Sequence, residues 1–268
     1  MNLRANKVRL CYDDRTVVDD LDLVVPQGRV TVVVGANGSG KSTLLRGLSR
    51  LLKPAAGAVY LDGRAIHTMP TRQVARSVGI LPQSPVAPDG ITVHDLVRRG
   101  RSPHQTWWRQ WSPADEAAVT AALEATSTTE YADRPVDELS GGQRQRAWIA
   151  MALAQQTAVL LLDEPTTHLD LAHQIDVLDL ITDLNREQGR TVVLVLHDLN
   201  LACRYADHLV AMRAGRIVAE GPPGAAVTAD LVDTVFALRC QVITDPVSGT
   251  PLVLPYGRHH TLTPEGTP

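Results

Sequence analysis

Gly35-Ala36-Asn37-Gly38-Ser39-Gly40-Lys41-Ser42 follows the β-branched run Val30 to Val34 and precedes a helical pattern from Thr43 to Leu52. Strand, glycine-rich turn and helix in that order make a phosphate loop. Glycines let the backbone wrap closely round a polyphosphate with its N–H groups turned inward, and the following helix offers its positive end to the same anion. Lys41 is placed to reach the β- and γ-phosphates, Ser42 to ligate magnesium and Thr43 to donate to the α-phosphate. Asn37, Gly38 and Gly40 complete the expected nucleotide-binding set.

Working outward, Ala158 to Leu162 and Thr191 to Leu196 have the same buried-strand character as Val30 to Val34, and helical patterns separate the three. This spacing predicts an α/β chain around a largely parallel sheet. Val8 to Tyr12 and Leu21 to Val25 read as short strands ahead of the turn at Pro26-Gln27-Gly28. Between Pro88 and Gln156 strand-like runs give way to helical periodicity, and Ser112-Pro113-Ala114-Asp115 supplies a capping serine, a first-turn proline and a capping-box acid. The expected organisation is therefore a core from 1–87 and 156–243, an inserted helical lobe at 88–155, and a tail at 244–268 rich in proline and glycine with a loose end.

With 44% hydrophobic residues, 268 residues suffice for one domain with a substantial core. A net charge of −3 implies no broad basic surface, which argues against nucleic acid as a partner. Cys11, Cys203 and Cys240 are odd in number and widely spaced, as expected of reduced cytosolic thiols rather than disulfides or metal ligands. Charges interrupt the first 26 residues, so no secretory signal is expected there, and every apolar run falls short of the ~20 residues a membrane helix needs.

Ala158 to Leu162 ends in Asp163-Glu164-Pro165, which delivers two carboxylates to the carboxyl end of a buried strand, the edge where α/β sheets bind ligands. Such a pair also serves as a turn former or helix cap. With a phosphate loop upstream, Asp163 reads as a magnesium ligand and Glu164 as the general base for a water attacking the γ-phosphate. Thr191 to Leu196 brings His197 to the same edge, in reach of the γ-phosphate or that water.

Leu139-Ser140-Gly141-Gly142-Gln143 precedes a helical run from Ala147 to Ala154, giving a second helix N-terminus suited to an anion. Phosphate loop, LSGGQ segment, LLLDEP segment and the histidine after a strand occur in the order found in the ATP-binding cassette family, and the chain resembles that family over nearly its whole length. The LSGGQ segment separates this family from other phosphate-loop NTPases. The resemblance implies a RecA-like core with N-terminal antiparallel strands and an inserted helical lobe. It also implies a homodimer in which each ATP lies between one copy's phosphate loop and the other copy's LSGGQ. On that pattern Tyr12 stacks on adenine, and Gln83 contacts magnesium and water while sensing a membrane subunit. Ser140, Gly142 and Gln143 bind ATP in trans, and Asp170 crosses the dimer interface. Thr167-His168-Leu169-Asp170 stands where many members have Ser-Ala-Leu-Asp.

The segments Arg99 to Gln105 and Trp111 to Glu116, with Thr167 to Asp170, are similar to importers of ferric siderophores, haem and cobalamin, and the ending Asp245-Pro246 to Leu254-Pro255 is most like the ferric-siderophore group. That resemblance implies an ATP hydrolase at the cytoplasmic face of the plasma membrane, docked under separate permease subunits and served indirectly by a substrate-binding lipoprotein. Haem, cobalamin or another solute is the alternative cargo, and a soluble cassette acting on DNA or ribosomes is the rival role. Trp107, Trp108 and Trp111 read as packing or a permease-facing surface of the helical lobe rather than a base-stacking or haem surface. His259-His260 reads as part of a solvated tail.

Overall fold

The chain begins with an antiparallel pair, β1 (Leu3–Tyr12) and β2 (Arg15–Val25), longer than the runs legible in the sequence. β3 (Val30–Gly35) then leads through the glycine-rich turn to α1 (Lys41–Leu48). After β4 (Ala56–Leu61), β5 (Arg64–Ala65) and α2 (Thr71–Ala75) comes β6 (Val78–Leu81). Three helices follow: α3 (Val93–Arg99), α4 (Pro113–Ala125) and α5 (Gly141–Ala154). β7 (Val159–Asp163), α6 (Leu171–Gln188), β8 (Thr191–Val195), α7 (Leu199–Tyr205) and β9 (His208–Arg213) alternate after them. β10 (Arg216–Gly221), α8 (Pro223–Ala226), α9 (Ala229–Phe236), β11 (Cys240–Thr244) and β12 (Pro251–Pro255) complete the order. The computed structural model describes residues 1–105, 111–167 and 169–257; Trp107, Trp108, His168 and His259-His260 lie outside them.

The main sheet has the order β10-β9-β3-β8-β7-β6, parallel except for the edge strand β10. A second, antiparallel sheet has the order β2-β1-β4-β5. Residues of β3, β7 and β8 are buried throughout, and their side chains alternate between two cores. Val32, Leu160, Leu162, Val192 and Leu194 face a core shared with α5, α6 and α7. Val33, Val159, Leu161, Val193 and Val195 face the other, shared with α1 and the antiparallel sheet. Two-sided burial explains why these strands read as unbroken apolar runs rather than as an alternation of polar and apolar residues. Each such Val or Leu contributes roughly 1.5–3 kcal/mol by leaving water.

The helical region is fastened by a buried ion pair. Ser112 caps α4 in a full capping box with Asp115, as the sequence indicates. Arg101 Nε donates to Asp115 Oδ1 at 2.9 Å, and Arg101 Nη1 donates to the carbonyl of Ala154 at 2.7 Å and to Gln156 Oε1 at 2.9 Å. Burial works against the Asp115 charge, but hydrogen bonds from Ser112 and Arg101 outweigh it and hold the carboxyl below its ordinary range. Trp111 packs in the same region, with its Nε1 donating to Glu116 and the Arg98 guanidinium 4.2 Å above its ring.

Two local expectations change. The glycines after Ser140 belong to the first turn of α5 rather than preceding the helix, because Ser140 and Gln143 form a reciprocal capping box that starts the helix at Gly141. Within the stretch marked as a tail, residues 251–255 form β12, whose backbone pairs with β11 and with the Asn200 side chain. Asn200 Nδ2 donates to the Val253 carbonyl at 3.2 Å, and Val253 N donates to Asn200 Oδ1 at 2.7 Å. Arg204 adds an ion pair of 2.7 Å to Asp245 in the hairpin loop.

Replacing Arg101 by Ala strands a buried carboxylate and deprives the end of α5 of its partner. Equilibrium unfolding in urea is expected to register a loss of about 3–5 kcal/mol, with the midpoint lowered.

Candidate functional site

The parallel strands carry every predicted catalytic side chain to one edge. Gly35 ends β3 with φ +153°, and a Cβ there would lie 2.3 Å from the Met212 carbonyl oxygen, so only glycine fits where the loop leaves the sheet. Gly40, at φ +101°, stands immediately before α1 and supplies no side chain to cap it. The first N–H groups of α1 are thereby left for an anion. Lys41 is buried and its Nζ donates to the carbonyls of Gly35 at 2.9 Å and Ala36 at 3.1 Å. Burial pushes its pKa down, while the charges of Glu164 and Asp163 oppose that.

Ser42 Oγ donates to Asp163 Oδ1 at 2.9 Å, joining the start of α1 to the end of β7. Burial is the main reason the Asp163 carboxyl sits above its ordinary range, and the Ser42 hydrogen bond works against it. Glu164, one residue on, is buried and adopts a left-handed backbone with φ +53°. Its carboxylate is held from three sides. Gln83 Nε2 donates to Oε2, Thr167 Oγ1 donates to the same oxygen at 3.2 Å, and His197 Nε2 lies 2.6 Å from Oε1.

These groups border one cavity of about 550 Å³, which Asn37, Gly38, Gly40, Lys41, Ser42, Thr43, Gln83, Glu164 and His197 line together. Arg15, Val17 and Thr167 also line it, none of them named as site residues from sequence. Thr167 carried a signal, since it lies three residues after Glu164 in the turn leaving β7; Arg15 and Val17 arrive through the β1–β2 hairpin, which local sequence does not aim. Tyr12 stands at the end of β1 opposite Arg15, 39% exposed, with its hydroxyl accepting from Arg46 Nη1 at 3.0 Å, and is outside the cavity lining.

Ser140, Gly142 and Gln143 do not reach this cavity. Ser140 caps α5 from an exposed position, and Arg144 pins the preceding loop by donating to the carbonyls of Val136, Asp137 and Leu139. Asp170 caps α6 by accepting from His173 N at 2.9 Å and leaves most of its side chain in solvent. Among the described residues no cluster of three or more His, Cys, Asp or Glu forms a self-sufficient metal cage. The oxygen donors Ser42 and Asp163 suit a magnesium ion that takes its other ligands from phosphate and water.

Sheet order, phosphate loop and acidic strand end together define a phosphate-loop NTPase. Residues 18–167 match the family model described as ABC transporter, and the chain belongs to that family of ATP-hydrolysing cassettes. It is 58% identical over 263 residues, 98% of this chain and 96% of the other, to the probable siderophore transport system ATP-binding protein YusV of Bacillus subtilis (strain 168). It is 56% identical over 256 residues, 96% of this chain and 94% of the other, to the ferric enterobactin transport ATP-binding protein FepC of Escherichia coli (strain K12). Among solved structures it resembles a bacterial ABC transporter cassette determined as a dimer, with TM-score 0.73 and 26% identity over 82% of this chain and 98% of that one. ATP is thus the nucleotide this chain binds.

Lys41→Ala removes the one ammonium group at the phosphate loop. Titration with a fluorescent ATP analogue is expected to show affinity lowered at least tenfold, with thermal stability unchanged or raised because a buried charge is gone.

Proposed function

We propose that this chain is the ATP-hydrolysing subunit of an importer for an iron complex, most closely a ferric siderophore. It works as a homodimer under transmembrane permease subunits at the cytoplasmic face of the plasma membrane, with a substrate-binding lipoprotein delivering cargo from the other side. The observation that carries the ATPase half is the Glu164 carboxylate held by Gln83, Thr167 and His197 beside the phosphate loop. The names of relatives covering nearly the whole chain support the cargo. Among the described residues no helix is long and apolar enough to cross a membrane, which suits a subunit that docks on others.

In the proposed cycle Lys41 and the N–H groups opening α1 receive the β- and γ-phosphates, with Asn37, Gly38, Gly40 and Thr43 shaping the cradle. Ser42, Asp163 and the Gln83 amide oxygen are the groups to hold magnesium, which would neutralise charge on the phosphates when bound. Glu164 accepts a proton from water as its oxygen bonds to the γ-phosphorus and the bond to the ADP oxygen breaks. His197 and Gln83 orient that carboxylate, and His197 is placed to donate toward the γ-phosphate. Tyr12, 39% exposed at the end of β1, supplies a face for adenine. Ser140, Gly142, Gln143 and Asp170, turned away from their own chain's cavity, serve the partner's nucleotide, so a single copy holds only half of each site. The core at 1–87 and 156–243 then carries the chemistry, and the lobe at 88–155 carries the half offered to the partner.

Glu164→Gln keeps an acceptor for Gln83 and loses the base. It is expected to bind ATP, hydrolyse it at under about one hundredth of the normal rate, and accumulate as a dimer by light scattering; normal turnover would remove Glu164 from its role. In cells whose only copy is Lys41→Ala, uptake of radiolabelled ferric siderophore is expected to stop while the protein persists. Unchanged uptake would redirect the cargo to haem, cobalamin or another solute.

A further inference from the structure

His173 lies on the first turn of α6 and belongs to neither the phosphate loop nor the LSGGQ segment, yet its ring touches both the exposed Asp170 and Gly142, which is buried at the start of α5. One edge meets Asp170, whose Oδ1 lies 2.6 Å from Nδ1 and also accepts the His173 backbone N–H at 2.9 Å. Facing a carboxylate, Nδ1 is the protonated nitrogen. The opposite part of the ring packs on Gly142 of α5, where a Cβ would lie 2.5 Å from His173 Cδ2, 3.0 Å from Cγ and 3.1 Å from Nε2. No real Cβ tolerates the first of these distances, so the imidazole occupies the space that glycine leaves open. A larger residue at 142 would therefore displace the imidazole from its present place.

One turn further along both helices, Arg146 Nη2 pairs with Asp176 Oδ2 at 2.8 Å, so the contact continues as a seam between α5 and α6. Gln174 Nε2 donates to the Leu169 carbonyl at 3.0 Å, which fixes the backbone just ahead of Asp170. The seam holds the two helix starts at one separation, and His173 is the side chain in it that contacts both Gly142 and Asp170.

We infer that His173 is a positioning residue that sets the distance and orientation between Gly142 and Asp170, so that both meet the partner subunit's nucleotide half-site together. The inference rests on the composite-site reading above. His173 touches no nucleotide in it. Its removal leaves the Asp170 carboxylate held by the backbone N–H of residue 173 without the imidazole and takes away the backing of the α5 N-terminus, while leaving the phosphate loop of the same chain intact. The effect therefore falls on closure of the dimer and not on ATP binding by one chain.

The test uses the full chain carrying Glu164→Gln, with dimer formation followed by light scattering against MgATP concentration. Affinity for a fluorescent ATP analogue is measured at protein concentrations below dimerisation. Adding His173→Ala is expected to raise about tenfold the ATP needed for half-maximal dimer, the size of effect expected when a hydrogen bond to a charged group is lost. Single-chain affinity is expected to be unchanged. His173→Asn, whose amide can still donate to Asp170, is expected to recover most of the loss. Equal dimerisation with and without His173→Ala would overturn the inference. So would a parallel fall in single-chain affinity, which a general loss of structure produces, or an Asn variant no better than Ala. Absence of an ATP-driven dimer in Glu164→Gln alone would instead overturn the composite site, and the inference with it.

Discussion

Two-sided burial of the central strands governs this molecule. Because β3, β7 and β8 feed one core with their odd residues and another with their even ones, no position within them can hold a charge without stranding it in apolar surroundings. Polar chemistry is thereby confined to the strand ends. Lys41 follows β3, Gln83 follows β6, Asp163 ends β7 with Glu164 just after it, and His197 follows β8, so a constraint on packing becomes a gathering of reactive groups. The parallel direction of these strands puts all of those ends on the same side.

Once gathered, the charges must be satisfied, and neighbouring polar groups satisfy them. Lys41 is bound by carbonyls of its own loop, Asp163 by Ser42, and Glu164 by Gln83, Thr167 and His197. Each is a contact that a phosphate oxygen, a magnesium ion or a water can replace with similar geometry. Nucleotide binding at these groups would therefore exchange hydrogen bonds rather than create them afresh. The same economy fails at α5, whose capped N-terminus and exposed Ser140 find no phosphate within their own chain.

Much of this was written locally in the sequence. A run such as Val30 to Val34, short and β-branched, reads as a strand buried on both faces, and a glycine-rich turn before Lys41 admits few readings. Ser112 and Asp115 announced their capping box correctly because such a box depends on residues three apart. What escaped was set by contacts between distant segments. β12 lies in a proline-rich stretch and is a strand only because β11 and Asn200 pair with its backbone. Arg15 and Val17 reach the cavity through the path of a hairpin, and the ring of His173 finds Gly142 across thirty-one positions (173 less 142).

The left-handed backbone of Glu164 has an evolutionary corollary. A residue with a Cβ pays about 1 kcal/mol for that conformation, whereas glycine adopts it freely. At this position the substitution that relaxes the chain also removes the carboxylate beside the phosphate loop. A laboratory screen rewarded only for heat resistance would therefore favour glycine here and discard the carboxylate that Gln83, Thr167 and His197 hold.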